Sequence, residues 1–207
     1  MKNQTLRELF IKELQDLYDS ENQIIKAMPR LIRAANSSSL SSSLEQHLEI
    51  TKNQAIQLED VFNKFGQQPV GKKCKGMEGL LKEAEEILKE NMDSEVKDAA
   101  IISAAQKIEH YEIAGYGCVR TYAHLLGETQ AANVLDRILS QEKDADVRLT
   151  ALSEEINVDA IAGQSPAASS WKQSGASSRP SSNAGQTGHS LSANESGDPD
   201  SRSRRDV

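Results

Sequence analysis

Apolar residues recur at intervals of three and four through most of the first 157 residues, which is the period of one face of an α-helix. Five segments carry the pattern. The first covers about residues 5–35, with Leu6, Phe10, Leu14, Leu17, Ile24, Met28 and Leu31 on one stripe; Pro29 inside it should bend the helix or shift its hydrogen bonding. A serine run at 37–43 ends that helix and caps the next, which covers about 40–65 with Leu44, Leu48, Ala55, Leu58 and Phe62 and stops at Gly66 and Pro69. A shorter helical piece, about 77–91, falls inside a long connection. Two further helices cover about 94–126 and 129–156, parted by Gly127. Strand signals are weak, because β-branched runs are short and no Asn-Gly or Asp-Gly turn occurs in the helical region. Short joins make antiparallel hairpins, and the long middle join lets the second hairpin fold back on the first. The pattern therefore predicts an all-α chain: an antiparallel four-helix bundle with an extra helix in the crossover.

Several polar residues fall where these stripes call for apolar ones. Glu21 lies between Leu17 and Ile24, and Glu142 between Ile138 and Ala145. Glu109 and Glu112 occupy successive core positions between Ala105 and Tyr116. On the second helix the best inward polar residue is His47, flanking Leu44, Leu48 and Thr51; Glu49 lies farther from the stripe. One glutamate on a stripe can reach water along the helix edge. Carboxylates on three helices meeting in one core cannot all do so, and taking each ion out of water costs several kcal/mol. They must be protonated, paired with cations or bound to metal. No Lys or Arg shares the stripes of the first, fourth and fifth helices. Two divalent ions would balance four carboxylates, and hard oxygen donors with one imidazole suit iron or manganese. Asp146, one turn beyond Glu142, could bond a ligand from outside or join the set. The expected metal residues are thus Glu21, His47, Glu109, Glu112, Glu142 and Asp146.

Composition narrows the setting. The chain of 207 residues has net charge −7, from 24 Lys and Arg against 31 Asp and Glu, which argues against a nucleic-acid partner. No apolar run approaches the ~20 residues that span a bilayer, and charges interrupt the N-terminus, so a cytoplasmic protein without membrane attachment is expected. Cys74 and Cys118 have no metal spacing and read as free thiols. Residues 160–207 include 13 Ser and four large apolar residues, too few to offset the entropy of ordering, so a domain over 1–159 and a disordered Ser-rich tail over 160–207 are expected.

The blocks LYDSENQIIKAMPRL, HLEITKNQAIQLEDVF, CKGMEGLLKEA, AAQKIEHYEIAGYG and QEKDADVRL, in that order, resemble the YciE/YciF-like branch of the ferritin-like superfamily. The resemblance covers about residues 4–156. It implies a ferritin-like bundle, a dinuclear metal centre, a homodimer and a link to bacterial stress. It places Glu21, Glu109, Glu112 and Glu142 at the family's core carboxylates and His47 at its second-helix histidine. The chain departs from the broader superfamily in having no Glu-x-x-His: Leu44 stands where a glutamate would precede His47, and Lys52 where a histidine would follow Glu49. Two functions of different class are compatible with this pattern. One is a two-metal protein reacting with peroxide or oxygen; the other is a non-enzymatic stress-response binding or structural protein in which metal only holds the fold or is absent.

Overall fold

The structure is a computed structural model that describes residues 5–162. Its elements are α1 (Leu6–Ala34), α2 (Ser38–Lys64), α3 (Lys75–Lys89), α4 (Ser94–Leu125) and α5 (Thr129–Ala162). Every described element is helical, so the expected bundle with an additional crossover helix is the fold. The last helix extends past the predicted end near residue 156. Of the tail expected over 160–207, residues 160–162 belong to α5, and 163–207 lie outside the described residues.

Local chemistry sets the helix ends. Thr5 accepts the Glu8 amide while the Glu8 side chain takes the Thr5 amide, closing a capping box. Ser37 caps α2 by accepting the Leu40 amide at 3.3 Å. Only residues 35–37 separate α1 from α2, so most of the serine run is helix rather than loop. Pro29 removes one internal donor, yet α1 continues as helix to Ala34. Gly66 and Gly127 take positive φ of 60° and 74° after α2 and α4, a backbone state that costs glycine little.

The core divides into two apolar clusters that reveal the direction of each helix. α1 enters one cluster with Phe10, Leu14 and Leu17 and reaches the other with Ile24, Met28 and Leu31. α2 runs the opposite way, from Leu40 and Leu44 to Leu58 and Phe62. α4 follows α2 in direction, from Ile101 and Ile108 to Val119 and Ala123, and α5 reverses it, from Leu135 and Ile138 to Leu149 and Ile156. Each hairpin is therefore antiparallel, and α2 and α4 are parallel because a crossover joins them. In cross-section α1 packs on α2 and α4, and α5 packs on α2 and α4, while α3 lies outside against α1 and α4.

α3 is fastened at its start. The Cys74 amide donates to Asp19 Oδ2 at 2.7 Å, and Gln23 Nε2 donates to the Cys74 carbonyl at 2.9 Å. Met77, Leu81 and Ala84 bury the inward face of the helix. Gly76 lets α3 approach α4: a Cβ there would lie 2.6 Å from the Tyr111 ring. Cys74 and Cys118 are both free thiols. No helix of the described residues is long and apolar enough to cross a membrane.

Candidate metal centre

The gap between the two apolar clusters is filled by polar side chains, one layer thick and at mid-height. Each helix reaches this level between its two apolar runs. α1 contributes Glu21, α2 contributes His47, Thr51 and Gln54, α4 contributes Glu109 and Glu112, and α5 contributes Glu142. All seven side chains are buried; Glu21 and Glu142 are 0 % exposed and His47 only 4 %.

Donor atoms of His47, Glu109, Glu112 and Glu142 all lie within 4.8 Å of one another. His47 Nε2 is 3.1 Å from Glu109 Oε1 and 3.9 Å from Glu142 Oε2, without the alignment of a hydrogen bond to either. Glu21 adjoins this set: Tyr116 donates its hydroxyl to Glu21 Oε1. Gln54 donates from Nε2 to Glu142 Oε1 and, at 3.2 Å, to Gln141 Oε1. Thr51 hydrogen bonds back to the His47 carbonyl and does not compete for the site.

Burial dominates the electrostatics. It raises the Glu21, Glu109 and Glu112 carboxyls well above their usual range, and neighbouring carboxylates raise them further. Burial pushes Glu142 up to about 7, opposed by hydrogen bonds from Glu109 and Gln54 and by the Arg148 charge. The Tyr116 phenol is also pushed up by burial. His47 is pushed down to about 4, first by burial and then by Arg148, so its imidazole is neutral at pH 7. Hydrogen bonding between carboxyls adds to the rise of Glu109 and Glu112 and opposes that of Glu142 and Glu21.

The polar atoms of the layer are only partly paired. Glu21 Oε2, Glu109 Oε2, Glu112 Oε1, Glu142 Oε2, Gln54 Oε1 and both His47 nitrogens are buried with no hydrogen-bond partner. Leaving one such atom unpaired costs about 1–3 kcal/mol, more when it is charged. A convergent set of carboxylate oxygens and a neutral imidazole nitrogen, each with spare acceptor capacity, is the donor set that divalent cations take. The residues fit a metal ion.

Five of the six expected metal residues meet in this layer. Asp146 stands on its α4 flank: it accepts from Gln106 at 3.2 Å, lies 3.3 Å from His110, and its charge acts on Glu109. Glu49 is exposed and paired with Lys52 at 2.6 Å, so the second helix contributes His47 instead. Sequence reading missed Gln54 and Arg148. Gln54 was detectable in principle, being one helical turn beyond Thr51 and seven residues from His47. Arg148 was not, because it lies off the α5 stripe and acts on His47 and Glu142 only through its charge.

A family model described as a domain of unknown function (DUF892) matches residues 5–162. The chain is 40% identical over 154 residues to Protein YciF of Escherichia coli strain K12, a match spanning 74% of this chain and 93% of that protein. The crystal structure of the E. coli stress protein YciF superposes with a TM-score of 0.72 at 39% identity, covering 74% of this chain and 98% of that one. YcfI of Rhodopseudomonas palustris gives a TM-score of 0.69 at 43% identity, covering 71% of this chain and 94% of that one.

Proposed function

The chain belongs to the YciE/YciF-like (DUF892) family of the ferritin-like superfamily, and from that premise we propose that it is a stress-response protein holding two divalent ions, iron or manganese, that react with peroxide or oxygen. The observation that carries the reading is the buried layer itself, in which donors of four residues converge within 4.8 Å while several remain unpaired. A structural bundle gains nothing from such a layer, since apolar residues of similar volume would stabilise it as well or better.

When bound, a redox-active ion pair supplies the electrons that reduce a small oxidant. The chain's own residues do the rest. Glu21, Glu109, Glu112 and Glu142 neutralise four positive charges and position the pair from three helices. His47 adds a neutral donor from the fourth. Tyr116 orients Glu21, and Gln54 orients Glu142, each by a hydrogen bond. The two apolar clusters above and below keep bulk water from the layer. The stress association comes from the likeness to E. coli YciF, described as a stress protein. The same reading takes the protein to be a cytoplasmic homodimer.

The test is metal analysis of the full chain after anaerobic loading with iron(II) or manganese(II), followed by oxygen or peroxide under optical spectroscopy. Two ions per chain and an oxidation-dependent band that Glu109→Ala abolishes are the expected results. Less than one ion per chain would refute the proposal.

A further inference from the structure

Gln54 is 0 % exposed and enters the layer from α2, about two helical turns beyond His47. Its amide nitrogen is engaged with α5: Nε2 donates to Glu142 Oε1 and, at 3.2 Å, to Gln141 Oε1. Those two acceptors fix which way round the amide lies, because turning it over would set its oxygen against two other oxygens. The amide oxygen, Oε1, is then left buried with no partner.

This oxygen differs from the other unpaired atoms around it. Those of Glu21, Glu109, Glu112 and Glu142 belong to carboxyl groups and those of His47 to an imidazole, all groups that cations take. Gln54 Oε1 is uncharged and can only accept. It shares its amide with the nitrogen that holds Glu142, so it adjoins the donors that converge within 4.8 Å. Leaving a buried acceptor unmet costs about 1–3 kcal/mol. Since no donor of the described residues reaches it, an O–H brought in by a small molecule is what removes that cost.

Peroxide and oxygen differ on this point. A hydroperoxide carries an O–H, whereas oxygen carries no proton. Water has an O–H as well, so a hydroperoxide replaces it at Gln54 without losing the bond, while oxygen would strand the acceptor. We propose that Gln54 Oε1 accepts the O–H of a hydroperoxide and so makes that class, rather than oxygen, the preferred oxidant of the centre. The inference rests on the two-ion reading above and narrows it. In the reduction of hydrogen peroxide each of the two ions gives one electron, the O–O bond breaks, two protons are taken up from solvent, and two waters are formed.

The full chain is loaded anaerobically with iron(II), iron per chain is measured, and stopped-flow absorption follows its oxidation by hydrogen peroxide or by oxygen. Gln54→Leu also loses the bond to Glu142, but that loss acts on both reactions and divides out of the ratio of their rates. The ratio of peroxide rate to oxygen rate should fall about tenfold or more in Gln54→Leu. Gln54→Met removes the same oxygen and takes the place of the leucine variant should that one fail to fold. Binding without turnover is read by calorimetric titration of the zinc(II)-loaded chain with hydrogen peroxide, which wild type should bind about tenfold more tightly than the variant. An unchanged rate ratio overturns the proposal, as does equal binding of peroxide by the two zinc-loaded proteins or none by wild type. A wild type holding fewer than two ions refutes the two-ion reading and this inference with it; two ions and an unchanged ratio refute this inference alone.

Discussion

Replacing Glu142 by Gln should make the metal-free protein more stable at pH 8 and the metal-loaded protein less so. Glu142 is 0 % exposed, and burial raises its carboxyl from an ordinary value near 4.5 to about 7. A carboxyl whose pKa is raised by folding stabilises the fold while it stays protonated. That contribution is complete below about pH 4.5 and is lost as pH rises through about 7. A shift of roughly two and a half units corresponds to on the order of 3 kcal/mol against the fold at pH 8. A glutamine side chain has nearly the same shape as the glutamate it replaces, carries no charge, and its carbonyl can still accept from Gln54. In EDTA, Glu142→Gln should therefore gain stability on the order of 3 kcal/mol at pH 8 and much less at pH 5. With iron(II) or manganese(II) the order should reverse, since wild type gains the free energy of metal binding and the variant has lost an anionic ligand. Urea unfolding followed by circular dichroism, with EDTA or metal at pH 5 and pH 8, measures all four cases. A variant less stable than wild type at pH 8 in EDTA would show that charge burial is not what the layer costs. An equal response of both proteins to metal would remove Glu142 from the ligand set.

Other predictions follow from particular contacts. Asp98, on α4, accepts the Asn36 amide at 2.8 Å and the Ser37 amide at 2.7 Å, closing the α1–α2 turn. Asp98→Ala should cost about 2–3 kcal/mol in urea unfolding, because it strands two backbone donors. Gly76→Ala sets a Cβ against the Tyr111 ring and should destabilise the protein by about 1–3 kcal/mol, with hydrogen exchange in α3 rising first. An exchange pattern unchanged in α3 would refute that account of its docking. Tyr116→Phe removes the hydroxyl bonded to buried Glu21 and should weaken metal binding several-fold, read by competition with a chelator, while leaving the bundle folded.

The helices were legible because burial imposes a period on each one separately. The serine run does end one helix and cap the next as expected, but α2 begins at Ser38, two residues before the expected start near Leu40. Serine is a poor helix former but costs little when tertiary packing buries Leu40 and Leu44 nearby. Glu21, Glu109, Glu112 and Glu142 were visible as charged residues on apolar stripes, and His47 as the nearest polar residue on a fourth. The preference for His47 over Glu49 came from stripe position, and the rotation of α2 agrees with it, leaving Glu49 exposed and His47 buried. Gln54 was hidden by its chemistry: an uncharged amide near a stripe raises no alarm, although here it holds a glutamate in place. Asp98 and Cys74 gained their roles only through partners on other helices.

By itself, the sequence determined that the chain is helical, which faces pack, and that carboxylates from three helices cannot escape their core. Those conclusions need only the period of a helix and the cost of burying charge. The tertiary structure decided how the helices are rotated and at what height they meet. These choices bring His47, Glu109, Glu112 and Glu142 within 4.8 Å and set Asp146 on one flank. Contacts between helices depend on packing that no single helix encodes, so the charge balance of the centre emerges only when all four are assembled.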